Sequence, residues 1–204
     1  MSSPRRGLFI TFEGVEGSGK TTQAEMLGQA LSTRDAVVVR EPGGTELGEK
    51  IREMLLYGGM QIDGEAEMYL FMAARSQLIA EVIRPALEAG QVVVADRYHD
   101  STLAYQGGGR GIATSWPPAF PKPDLTFLLA LPVEGGRLRQ LVAGKKADRV
   151  ESEANDFHER VASAYEKLAA AEPQRFVVID ATGSRENVHS IVKQRVDQLL
   201  AATR

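Results

Sequence analysis

Apolar positions along the chain fall into short, nearly continuous runs that alternate with longer stretches of helical spacing. The runs predict strands over 8–12, 36–40, 91–96, 125–131 and 175–180. They are apolar throughout rather than alternating, so both faces of each strand must be covered, as in a parallel sheet between helical layers. Helical periodicity predicts helices over 20–32, 45–57, 65–89, 151–171 and 185–202. Strand alternating with helix means βαβ units. The expected fold is α/β, with a five-stranded parallel sheet flanked by helices on both faces. The 204 residues are enough for one domain with a full core, and there is no internal repeat or low-complexity segment.

One helix breaks its own pattern. Met68, Phe71, Met72, Leu78, Ile79, Val82 and Ile83 make an apolar stripe at helical spacing, and Arg75 lies within it. A guanidinium on an apolar face needs carboxylate, carbonyl or phosphate partners. These could be structural, in a core carboxylate or helix-end carbonyls. With Phe71 one turn away, Arg75 could instead serve a stacked base, the ring giving a face and the fork giving hydrogen bonds. Pro85 is expected to kink or shorten this helix.

The first predicted strand runs into Gly14-Val15-Glu16-Gly17-Ser18-Gly19-Lys20-Thr21-Thr22, and a predicted helix follows. This is the phosphate-binding pattern G-x-x-x-x-G-K-[ST]. Its glycines let backbone N–H groups converge on one anion, its lysine reaches the β- and γ-phosphates, and its threonine hydroxyl can ligate Mg²⁺. The helix dipole adds to the attraction. A nucleoside triphosphate with Mg²⁺ is therefore the expected ligand. Glu16 is out of place in such a loop, because a carboxylate repels a triphosphate; a hydroxyl or a Mg²⁺-bound water would be its target.

Ligands of open α/β sheets sit beyond the carboxyl ends of the strands. Glu41-Pro42 and Asp96-Arg97 fall at such ends, beside the phosphate loop, and should share its cleft. Asp96 can hold Mg²⁺ directly or through water, and Arg97 can grip a phosphate bidentately. Ser101 and Tyr105 share one helical face, Thr102 and Gln106 the next; the four suit a sugar and a base. Two loops stand out. Gly107 to Gly111 is read as flexible, and 134–150 as a Gly-, Lys- and Arg-rich lid without a clear apolar face.

Net charge is −3, which argues against bulk nucleic-acid binding. There are no cysteines and three histidines, so disulfides and thiolate metal sites are excluded and a transition-metal site is not expected. No run has secretory or membrane-spanning length, so the expected location is the cytoplasm.

Together these blocks resemble the thymidylate kinases. The carriers are Glu13 to Thr22, Arg40-Glu41-Pro42-Gly43-Gly44-Thr45, Phe71 to Arg75, Asp96-Arg97-Tyr98 with Ser101-Thr102, Ala104-Tyr105-Gln106-Gly107 with Arg110-Gly111, and Asp148-Arg149-Val150-Glu151. The resemblance runs from Leu8 to about Leu200 and implies a P-loop nucleoside-monophosphate-kinase fold. The implied reaction is ATP + dTMP → ADP + dTDP, in dTTP biosynthesis, by a homodimer. By the same resemblance Phe71 stacks on thymine, Arg75 and Gln106 bond its edge, and Arg97 holds the dTMP phosphate with Arg52. Glu16 lies near the 3′-hydroxyl and Tyr105 crowds the 2′ position. Asp180-Ala181-Thr182-Gly183 resembles the adenine-side loop.

The chain departs from the family pattern in one respect. One branch carries an arginine in the phosphate loop, where this chain has Gly17; the other carries lid arginines, and here Val142 and Gly144 stand where basic residues would be welcome. Of Arg137, Arg139, Lys145, Lys146 and Arg149, the expectation falls on Arg149, helped by Lys145 or Lys146, as the cation that follows the moving phosphoryl. Three rivals stay open. A regulatory GTPase would need an N-K-x-D motif, which is absent. A kinase for another monophosphate and an inactive nucleotide binder are the others.

Overall fold

The computed structural model describes residues 6–144 and 146–202. At its centre lies β1 (Phe9–Glu13), buried along its whole length. It pairs in parallel with β3 (Val93–Asp96) and β4 (Leu125–Ala130). β2 (Val37–Arg40) lies outside β3, and β5 (Phe176–Asp180) outside β4, giving the order β2-β3-β1-β4-β5. All pairs are parallel, as the continuous apolar runs require.

Side chains alternate across β1. Ile10 and Phe12 face a layer built on Ala24 and Leu27 of α1 (Lys20–Ala30) and on Val188, Val192 and Val196 of α8 (Arg185–Ala202). Phe9 faces the other layer, in a cluster with Leu78, Ile83 and Tyr98. Beside it, Leu128 of β4 packs with α2 (Glu46–Tyr57), α3 (Gly64–Leu78) and α7 (Asn155–Ala171) through Ile51, Leu55, Ala74, Val161 and Tyr165. The connections out of β1 and β3 therefore open onto one crevice at the strands' carboxyl ends.

Four expectations are corrected. The stretch 65–89 is not one regular helix. α3 ends at Leu78, a π-helical turn spans Ile79–Ile83, and α4 (Arg84–Glu88) carries Pro85 in its first turn. The Arg84 N–H bonds Ile79 O, five residues back, so the wide turn absorbs the proline that cannot donate.

The glycine run is not a flexible loop. α5 (His99–Thr102) continues into a π-helical segment, Leu103–Gly109. A Cβ on Gly108 would sit 2.3 Å from Ala164 Cβ, and one on Gly109 2.5 Å from Phe157, so these glycines let the segment lie against α7.

The lid stretch contains α6 (Val133–Val142), whose only buried residue is Gly136. The helix expected from 151 starts at Asn155. Asp148 Oδ1 accepts the N–H groups of Val150 and Glu151, both at 2.9 Å, and holds a turn there instead.

Candidate active site

The crevice is a cleft of about 480 Å³. Its lining includes Glu16, Gly17, Gly19, Lys20, Thr21 and Thr22 of the phosphate loop, Glu41, Pro42 and Arg52, Phe71 and Arg75, and Asp96, Arg97, Ser101, Thr102, Tyr105 and Gln106. Of the expected residues, Gly14, Val15, Ser18, Lys146, Arg149 and the loop 180–183 are not on its wall.

The phosphate loop joins β1 to α1 through Gly14, Gly17 and Gly19, all at positive φ. Lys20 Nζ is buried and donates to Val15 O at 2.8 Å and Ser18 Oγ at 3.3 Å. Burial, helped by the Arg97 charge, lowers its pKa to about 8 against the pull of Asp96, Glu16 and Glu13. Thr21 Oγ1 donates to Asp96 Oδ2 at 2.5 Å. Two hard oxygen ligands thus stand together beside the loop, on the chemistry Mg²⁺ prefers. Among the described residues no group of three or more His, Cys, Asp or Glu is placed to hold a metal ion.

Arg97 is the centre of the wall. Its backbone is left-handed, φ 69°, which is uncommon for a residue with a side chain. The guanidinium donates to Glu16 Oε1 at 2.8 Å, Tyr105 Oη at 3.1 Å, Ser101 Oγ at 3.1 Å, Tyr165 Oη at 3.3 Å and Gly14 O at 3.2 Å. Tyr105 Oη also donates to Glu16 Oε1 at 2.5 Å. Burial works to raise the Glu16 pKa, but Arg97, His158, Lys20 and Tyr105 together outweigh it and hold the carboxyl far below the carboxylate range. Glu16 Oε2 is buried without a hydrogen-bond partner, and His158 Nδ1 lies 3.5 Å from it.

Behind Arg97 is Glu13, a residue of the phosphate-loop block with no role assigned from sequence. Glu13 is fully buried at the end of β1. It accepts Tyr98 N–H at 2.8 Å on Oε1, and Ser101 Oγ at 2.7 Å and Tyr165 Oη at 2.8 Å on Oε2. Burial and the Asp100 charge push its pKa up to about 7, with Arg97 opposing.

Arg75, 2% exposed, satisfies the demand read from its apolar stripe. It donates to Glu41 Oε2 at 2.6 Å, Thr102 Oγ1 at 2.7 Å and Tyr98 O at 3.0 Å, and lies 3.2 Å from His99 Nδ1. Since Arg75 can only donate, Nδ1 accepts, and Nε2 donates to Ser115 O at 3.0 Å. Burial, with Arg75 beside it, lowers the His99 pKa to about 3, so the ring stays neutral. Arg52 donates to Pro42 O at 2.9 Å, across the peptide that follows Glu41.

Gln106 donates to Glu67, a fully buried carboxylate that also takes both Arg110 and Arg149. Burial would raise the Glu67 pKa, but the hydrogen bonds from Arg110, Gln106 and Arg149 hold it below the usual range. Arg149 is engaged elsewhere in this structure. Its guanidinium is spent on Leu55 O at 2.7 Å and Glu67 Oε2 at 2.5 Å, away from the phosphate loop. The reason is the buried charge of Glu67, which the sequence did not reveal as its partner. Lys145 lies outside the described residues. The lid arginine on the cleft wall is Arg139, which donates to Ala181 O at 2.7 Å and Thr182 O at 3.3 Å, with Gly17 O at 3.5 Å.

Gly17 and Gly136 explain how α6 comes so close. A Cβ on Gly17 would be 2.3 Å from Gly136 O, and one on Gly136 would be 2.1 Å from Glu16 O. Backbone meets backbone there, and Arg139 lies one helical turn further along.

Comparisons with known proteins agree with this geometry. A family model described as thymidylate kinase matches residues 12–192. The thymidylate kinase of Halothermothrix orenii is 46% identical over 94% of this chain and 97% of its own length. That of Desulfovibrio desulfuricans is 47% identical over 89% and 91%. The crystal structure of thymidylate kinase from Ehrlichia chaffeensis superposes with a TM-score of 0.72 and 31% identity, covering 94% of this chain and 99% of that one. A match of this length, on a chain whose phosphate loop and Arg97 wall share one cleft, means that the chain belongs to the thymidylate kinase family.

Proposed function

We propose that the chain transfers the γ-phosphoryl group of ATP to dTMP, giving ADP and dTDP for dTTP synthesis. The observation that carries this reading is one cleft holding both a phosphate loop and, facing it, Arg97 with Phe71, Arg75 and Gln106. The loop and Lys20 take the donor phosphates. Arg97, with Arg52, takes the acceptor phosphate. Phe71 offers its ring to thymine while Arg75 and Gln106 address the edge. Glu16 lines the cleft beside the phosphate loop, where it can face a sugar hydroxyl. Tyr105, fixed on Glu16, narrows the space beside the sugar.

A phosphomonoester is mostly a dianion near pH 7, since its second pKa is about 6. The nucleophile is already charged and no general base is required. Catalysis then consists of alignment and charge neutralisation. Thr21 and Asp96 would hold Mg²⁺, which when bound neutralises charge on the donor phosphates. We assign the cation nearest the moving phosphoryl to Arg139 rather than Arg149, because Arg139 reaches Gly17 O and Arg149 is held by Glu67.

The test is ADP release from Mg-ATP with dTMP, dUMP, dCMP, dGMP and AMP compared as acceptors. A strong preference for dTMP is expected. Turnover favouring another acceptor would overturn the thymine pocket, and hydrolysis indifferent to acceptor would overturn the transferase.

We also propose a cytoplasmic homodimer. Exposed Met54, Tyr57 and Tyr69 on α2 and α3 support it, and no described helix is long and apolar enough to cross a membrane. Sedimentation equilibrium at the mass of one chain would overturn the dimer.

A further inference from the structure

Arg97 lies between two carboxylates that use hydroxyl groups as go-betweens. On the cleft side, Tyr105 Oη donates to Glu16 and accepts from Arg97. On the core side, Ser101 Oγ and Tyr165 Oη donate to Glu13 Oε2, and both lie within reach of Arg97 Nη1. A hydroxyl has one hydrogen and two lone pairs. Once its hydrogen is committed to a carboxylate, only lone pairs remain for a neighbour. Arg97 has donors only, so it can bond Ser101 and Tyr165 only while their hydrogens point elsewhere.

Glu13 supplies that elsewhere. Its other oxygen takes the N–H of Tyr98, the residue after Arg97, and so also ties down the backbone on which Arg97 holds its left-handed φ. The Arg97 N–H itself is fixed to Phe12 O, next to Glu13 on β1.

We propose that Glu13 is the positioning residue for Arg97: it orients the Ser101 and Tyr165 hydroxyls as acceptors and pins the following peptide, so that the guanidinium is aimed at the acceptor phosphate before substrate arrives. This rests on the reading that Arg97 holds the dTMP phosphate. Glu13 itself touches no substrate. Its three partners come from the β3–α5 turn, α5 and α7, so the aim of one side chain is set by elements distant along the chain.

Glu13→Gln inverts the relay while keeping shape. The amide oxygen can still accept Tyr98 N–H, but the amide nitrogen is a donor and turns both hydroxyls from donors into acceptors toward it. Assayed at about pH 8, this variant is expected to raise KM for dTMP about tenfold and leave KM for ATP within about twofold. In a Ser101→Ala/Tyr165→Phe background the same substitution is expected to add less than about twofold, because the groups it acts through are gone. An unchanged dTMP KM in Glu13→Gln, or an undiminished effect in that background, overturns the proposal.

Should Glu13→Gln not fold, Tyr165→Phe alone carries the test. It is expected to raise the dTMP KM about threefold with the ATP KM unchanged, and equal effects on both substrates overturn the relay. Arg97→Ala separates the two levels. An unchanged dTMP KM there overturns the reading of Arg97 itself, and this proposal with it. A raised KM there beside an unchanged one in Glu13→Gln overturns the proposal alone.

Discussion

Two carboxylates in this molecule, half-buried Glu16 and buried Glu67, are each bound to arginine, and they differ in what is left over. Glu67 is closed. Oε1 takes Gln106 and Arg110, and Oε2 takes Arg110 and Arg149. Glu16 is open. Oε1 takes Arg97 and Tyr105, and Oε2 is buried with no hydrogen-bond partner, His158 Nδ1 standing 3.5 Å away. A saturated charge cluster joins elements of structure. An unsaturated one keeps hydrogen-bonding capacity unused. The same two residue types thus do different work, and the number of unused hydrogen-bonding positions separates them.

The largest expected effect breaks the closed cluster. Glu67→Ala takes the carboxylate from Arg149, leaves Arg110 only Glu153, and should cost about 3–5 kcal/mol of stability. Thermal unfolding should show a fall in Tm on the order of 10 °C. An unchanged Tm would mean that the cluster holds nothing together.

Next comes the open side. Arg97→Ala should lower kcat/KM for dTMP by about 100-fold, about 2.7 kcal/mol, while Tm moves far less than in Glu67→Ala. If both variants lost stability and activity in the same ratio, the distinction between open and closed would fall.

The third prediction divides the lid arginines along the same line. Arg139→Ala should lower kcat about tenfold with KM for dTMP within about twofold. Arg149→Ala should mainly lower Tm, through Glu67. Steady-state kinetics of the pair checks it, and the reverse result would return the moving phosphoryl to Arg149.

The smallest effect concerns pH. His99 takes up a proton near pH 6.5 when unfolded, but only near pH 3 when folded, because it is buried beside Arg75. The unfolded chain binds more protons in that window, so stability is fully present above pH 6.5 and declines as pH falls through it. About 1 kcal/mol should go between pH 7 and pH 5.5. Urea unfolding of His99→Asn should show a flatter dependence over that range, and an identical slope would remove His99 from the account.

The sequence revealed what is local. The glycines, lysine and threonine of the phosphate loop are contiguous, and the strand before and helix after it follow from periodicity. The buried demand of Arg75 was also legible, because a guanidinium inside an apolar stripe is conspicuous; its partner Glu41, 34 residues away, was not. Glu13 follows the predicted strand 8–12 directly, and its spacing announced no partner. Its partner Tyr165 is 152 residues away, beyond any spacing argument. Arg149 looked like a free lid cation because nothing in its neighbourhood announced Glu67, 82 residues earlier. The glycine run was misread for a different reason. Glycine grants both freedom and close approach, and only the packing against α7 decides which applies.

The meeting of Gly17 with Gly136 carries an evolutionary consequence. The phosphate-loop arginine of one branch would enter at position 17, where even a methyl group runs into Gly136 O. With α6 seated, that solution is barred. Losing the α6 seat first would displace Arg139, and no arginine at 17 would yet stand in for it. A side chain at position 17 and a seated α6 therefore exclude one another in this structure.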